Sequence, residues 1–111
     1  MNFKEVQNCY FEFEDKRHKI IQKTQGYFLK LGFHPYVWFD ADHRLRIKHK
    51  FMRGQDFDEI DEEKSRFVKN IEKFSEENGL SIRFCLDVCE TDMMLHDDIK
   101  SQWSIEYILE V

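Results

Sequence analysis

Proline and alanine are nearly missing from this chain, with one of each, and glycine and cysteine are scarce, with four and three. With so few glycines there is no GxGxxG or GxxxxGK[ST] run, which removes the phosphate-cradling loops that a sequence can reveal. Three cysteines, an odd number, argue against a disulfide framework and fit the reduced thiols of a cytoplasm. No apolar run approaches the ~20 residues that a membrane span needs. The N-terminus, MNFKEVQNCY, lacks the basic-then-apolar profile of a secretory signal. One alanine and one proline stand against nine Ile, eleven Phe and eleven Lys, a bias that reads as coding in an AT-rich genome or a phage.

What the chain has is aromatic surface. Eleven Phe, four Tyr and two Trp are far more than a disordered chain carries, so a folded globule is expected. Its 111 residues make one domain, 1–111. A chain of this size buries roughly two-thirds of its unfolded surface, which allows one core and little room for a catalytic cavity.

Charge is divided unevenly. Residues 1–53 hold 11 Lys/Arg against 6 Asp/Glu, whereas residues 54–111 hold 6 against 16, within a net charge of -5. An asymmetry of this kind can mark an electrostatic contact surface.

The clearest element is 56–78, where Phe57, Ile60, Phe67, Val68, Ile71 and Phe74 recur at helical spacing among charged residues. Asp56 and Glu59 have capping-box spacing, and Gly79 stands where a C′ glycine would end the helix. Next, Ile82, Phe84, Leu86 and Val88 alternate with polar residues across 81–90. Trp103, Ile105, Tyr107, Leu109 and Val111 do the same, the period of half-buried strands. These two strands are expected to pair as a hairpin, with 91–101 as an acidic loop or short helix.

Residues 36–40 and 44–51 form a second expected hairpin around Asp40–His43. A loop of two or four residues puts Tyr36 and Trp38 on the face of Leu45, Ile47, His49 and Phe51. Arg44, Arg46, Lys48 and Lys50 then share the other face with Val37 and Phe39.

In the first third, Phe3, Val6, Tyr10, Phe13, Ile20 and Thr24 fit one helical stripe that Gly26 could cap. Residues 27–33 either extend that helix or form a strand, since Tyr27, Leu29, Leu31 and Phe33 alternate. The rival reading makes Cys9–Glu14 a strand. The expected fold is α+β: an antiparallel sheet of four or five strands in two hairpins, two helices on one face, order αββαββ. The alternative is a ferredoxin-like βαββαβ plus one strand. The expected core is Trp38, Ile47, Phe67, Ile71, Phe74, Phe84, Leu86, Ile105 and Tyr107.

Motifs of catalysis are few. Cys85 and Cys89, four apart on a strand, lie about 13 Å from each other, too far to share a zinc. There is no CxxC or HExxH, and Cys9, His18, His34, His43, His49 and His96 are scattered, so no metal or other cofactor is expected. The run Val37–Leu45, VWFDADHRL, resembles the first motif of haloacid-dehalogenase-type phosphatases, in which the two Asp serve as nucleophile and general acid/base. Asp40 and Asp42 match, but His43 and Arg44 replace the motif's Gly-Thr. No doubly wound βαβ pattern follows, and Asx residues in a tight turn already bond the local backbone. The acids of 87–98 lack the spacing and central glycine of an EF-hand. No GxSxG is present. The chain is expected not to be an enzyme.

Two surfaces stand out. Asp56, Asp58, Glu59, Asp61, Glu62 and Glu63 crowd the start of the later helix, and Asp92, Asp97 and Asp98 follow in the 87–98 loop. Capping needs fewer acids, and like charges at these spacings repel by a few tenths of a kcal/mol per pair. A basic protein partner would relieve that repulsion. The alternating cations Arg44, Arg46, Lys48 and Lys50, with Phe39 to stack on a base, could instead track nucleic acid.

Size, acidity and aromatic richness look like the general profile of small phage-encoded inhibitors and bacterial immunity proteins, without a shared motif. The expectation is a cytoplasmic, non-enzymatic protein that binds and inhibits or sequesters another protein, such as a nucleic-acid-processing enzyme. A small nucleic-acid-binding domain is the alternative. An acidic chaperone or adaptor that takes extended peptide on a sheet edge is a further one. No membrane partner is expected, and a homodimer is compatible with the pattern.

Overall fold

A computed structural model describes residues 2–52, 55–92 and 100–110. The order of elements is α1 (Phe3–Lys30), β1 (Tyr36–Phe39), β2 (Leu45–Lys50), α2 (Phe57–Glu77), β3 (Ser81–Asp92) and β4 (Lys100–Glu110). The strands form one antiparallel sheet in the order β1-β2-β4-β3. This is the expected α+β fold, with a four-stranded sheet made of two hairpins. The β3–β4 strands run further than expected, into 91–92 and 100–101, and the rest of their connection lies outside the described residues.

The ferredoxin-like alternative fails at Cys9–Glu14, which lies inside α1. A capping box starts that helix: Asn2 Oδ1 accepts from Glu5 N–H at 2.9 Å, and Asn2 N–H donates back to Glu5. Gly26 does not end it. Helix α1 continues through 27–30 and stops in a Schellman turn at Gly32 (φ 86), where Phe33 N–H donates to Phe28 C=O at 3.0 Å. Helix α2 ends in the same way at Gly79 (φ 66), with Leu80 N–H donating to Ser75 C=O at 2.8 Å. Each turn delivers an apolar residue, Phe33 or Leu80, back onto the core.

Both helices lie on one face of the sheet. Phe28 from α1 and Phe67, Ile71 and Phe74 from α2 are buried against Leu45 and Ile47 of β2 and Ile105, Tyr107 and Leu109 of β4. Of the expected core, Ile47, Phe67, Ile71, Phe74, Ile105 and Tyr107 are buried there.

Trp38, Phe84 and Leu86 are not, and each has a local cause. The β1–β2 turn closes three residues, not two or four: Asp40 N–H donates to Arg44 C=O, and His43 N–H to Asp40 C=O. His43 takes the left-handed conformation (φ 61) that ends such a loop. Its odd length pairs Val37 with Ile47 and Phe39 with Leu45, so Val37 and Phe39 face the helices. Tyr36 and Trp38 turn to the opposite face beside Lys48 and Arg46. In β3 a bulge between Ile82 and Phe84 shifts the alternation, so Cys85 and Asp87 take the helix side, while Phe84 and Leu86 take the other and stay exposed.

His49 is the ionisable residue among the buried polar ones, which also include Thr24, Ser75 and Ser104. It is 8% exposed, stacks on Phe67, and meets Phe33 and Phe51 edge-on. Burial holds its pKa below the usual 6.5, against an opposing pull from Glu63, whose carboxylate lies 3.1 Å from Nε2; Arg66 and His34 add to the lowering. The neutral ring is therefore the folded form. Below the ordinary value the unfolded chain binds a proton that the folded one resists, so this contribution is complete above 6.5 and is lost as pH falls. Urea midpoints should drop more steeply between neutral and mildly acidic pH in the parent than in His49→Phe. Parallel profiles for the two proteins would refute this.

Candidate functional site

Asp56, Asp58, Glu59, Asp61, Glu62 and Glu63 lie in the first two turns of α2 and at its N-cap. Asp56 is the N-cap of α2, its carboxylate accepting from Glu59 N–H at 2.8 Å. Glu63 turns inward to His49 and Lys64 reaches Asp87 of β3 at 2.7 Å. Asp58, Glu59, Asp61 and Glu62 are exposed, and among the described residues none of them forms an ion pair. Their surplus charge faces solvent.

Next to these acids lies an apolar cluster that the sequence reading did not place there. Phe57 opens the helical stripe of α2, yet it is 72% exposed. Its aromatic contact is Trp103 of β4, with ring centroids 6.5 Å apart and nearly perpendicular. Met52, equally exposed, lies just after β2, and Trp103 itself is 37% exposed. Phe57 directly follows the N-cap Asp56, in the first turn of the helix.

Trp103 pairs with Cys89 in the sheet, and Asp92 ends β3 three residues beyond, about 10 Å further along. Asp92 and the start of α2 therefore share one end of the sheet. Asp97 and Asp98 lie outside the described residues.

The basic strip differs in kind. Arg46 Nε donates to Asp40 at 2.7 Å and its Nη1 to Glu106 at 2.9 Å. Arg44 and Arg83 share Glu110, at 3.4 and 2.6 Å. Lys50 lies over the Tyr36 ring at 5.3 Å, and Lys48 also has an interaction. Phe39 is absent from this strip because of the three-residue turn; it sits on the helix side beneath Arg17, 4.9 Å from its ring. Tyr36 and Trp38 take its place among the cations.

The phosphatase-like run resolves into turn chemistry. Asp40 Oδ1 accepts from the N–H groups of Asp42 and Arg44 at 2.8 and 3.0 Å, and Oδ2 accepts from Arg46. The Arg46 side chain first, then the Arg44 N–H, hold this carboxyl below the usual carboxylate range. With both oxygens engaged, Asp40 fixes the hairpin.

Among the described residues no group of three His, Cys, Asp or Glu could hold a metal, and no helix is long and apolar enough to cross a membrane. Compared with protein families, curated proteins and solved structures, the chain matches none.

Proposed function

We propose that the protein is a non-enzymatic binding protein that docks the start of α2 on a basic surface of another protein and so inhibits or sequesters it. One contrast carries the reading. Among the described residues the acids Asp58, Glu59, Asp61 and Glu62 form no ion pair, although Arg66 lies near Glu59 and Glu62, whereas three arginines around the basic strip are engaged by Asp40, Glu106 and Glu110. Unpaired exposed charge next to exposed aromatics has the anatomy of an interface, an apolar centre inside a charged rim. The groove of a nucleic-acid-processing enzyme is a fitting target, because carboxylates on a helix can stand where phosphates would lie.

A second reading keeps one observation of its own. Tyr36, 57% exposed, and Trp38 lie among Arg46, Lys48 and Lys50 on the helix-free face, where they could stack on bases. Gel shifts with single-stranded RNA and DNA at two salt concentrations separate the readings. The acidic protein should shift neither nucleic acid near physiological salt, while immobilised protein should retain basic proteins that salt releases. Binding of RNA that falls steeply with salt, and is lost when Arg44, Arg46, Lys48 and Lys50 become Gln, would move the function to nucleic acid.

A further inference from the structure

A cleft lies beside Asp61 of the acidic run. Its walls are Phe57 of α2 and Trp103 of β4, and its apolar floor is Phe51 and Ile60. Asp61 and the Lys64–Asp87 ion pair also line it. The cavity measures about 190 Å³. Pockets for small-molecule ligands run from about 300 to 1,000 Å³, so this one suits a single long side chain better than a metabolite.

We propose that the cleft receives an arginine side chain of the basic partner, an inference that rests on the reading above. Three features select that occupant. The aromatic walls offer π-faces, which attract cations, and a planar guanidinium stacks on them as an ammonium does not. Asp61 lines the cleft and has no ion-pair partner among the described residues, and a carboxylate can take a forked guanidinium in two parallel hydrogen bonds. The methylene stem would lie against Phe51 and Ile60, as arginine stems do on apolar surface. Lys64 would repel a cation, but its charge is held by Asp87 at 2.7 Å. A neutral apolar side chain would bury Asp61 unpaired, which disfavours it.

The test uses oligoarginine and oligolysine peptides of equal length and charge on the full chain carrying Trp38→Phe, which leaves Trp103 as the reporter. Oligoarginine should bind about tenfold more tightly than oligolysine near physiological salt and shift the Trp103 emission. Asp61→Asn and Phe57→Ala, each checked for unchanged circular dichroism, should reduce oligoarginine binding to the oligolysine level. Equal binding of the two peptides with no change at Trp103 overturns the cleft proposal. If that binding also vanishes on neutralising Asp58, Glu59, Asp61 and Glu62, the basic-partner reading survives alone. Binding unaffected by that neutralisation, or no binding of either peptide, overturns both.

Discussion

Replacing Phe67 with alanine should remove about 3–5 kcal/mol of stability, the usual cost of deleting a fully buried phenylalanine. Domains of this size hold only about 5–15 kcal/mol in total, so the variant should be largely unfolded at modest urea. The ring is 0% exposed and touches Phe28 of α1, Phe33 after it, His49 of β2 and Tyr107 of β4. Its loss opens a space bounded by both helices and the sheet, which cannot collapse without moving all three. Urea unfolding followed by circular dichroism measures this. Phe57→Ala is the matched control, since an exposed phenylalanine should change stability by no more than about 0.5 kcal/mol. A small loss at Phe67 and a large one at Phe57 would invert the assignment of the helix faces.

Neutralising Asp58, Glu59, Asp61 and Glu62 to their amides should slow association with a basic partner by about an order of magnitude or more. The fold should survive because two effects of similar size oppose each other. Each lost carboxylate forfeits about 0.3–1 kcal/mol of favourable interaction with the helix N-terminus. Asp58–Asp61, Asp58–Glu62 and Glu59–Glu62, spaced three or four residues apart, each regain a few tenths of a kcal/mol of relieved repulsion. Reversal to lysine is less clean, since cations there oppose the dipole outright. Stopped-flow association at two salt concentrations reads the effect, and the salt dependence should flatten with the rate. Changing Arg44, Arg46, Lys48 and Lys50 to Gln should leave association unchanged. A partner lost by the basic-strip variant and kept by the acidic one would refute the docking surface.

The elements of this chain were legible where local signals agreed. In α2, the stripe, the Asp56 cap and Gly79 all indicated one helix, and Phe67, Ile71 and Phe74 are buried as their spacing requires. In α1, the period-2 look of Cys9–Glu14 competed with the helical stripe. The deciding feature was the Asn2–Glu5 capping box, which the sequence reading passed over. The facing of β1 and β3 was harder to read. It depended on one residue in a turn and one in a bulge, and either count reverses every side chain beyond it. Val37, Phe39, Phe84 and Leu86 were misplaced for that reason. The acidic run was visible in the sequence. The exposed Phe57–Trp103 pair beside it was not, because it joins residues 46 positions apart.

The three-residue turn also bears on how this sequence can drift. Strand β1 is short, with four residues, and alternating apolar side chains fill both of its faces: Val37 and Phe39 toward the helices, Tyr36 and Trp38 away from them. Composition alone therefore does little to resist a flip. Orientation is set by the parity of the turn and by Asp40, which grips it through three hydrogen bonds. Gaining or losing a single residue between Asp40 and Arg44 would exchange the two faces and bring Trp38 toward the core. A change of two residues would preserve the facing. Descendants of this chain should accordingly vary here in steps of two, a lineage constraint on parity where length itself is free.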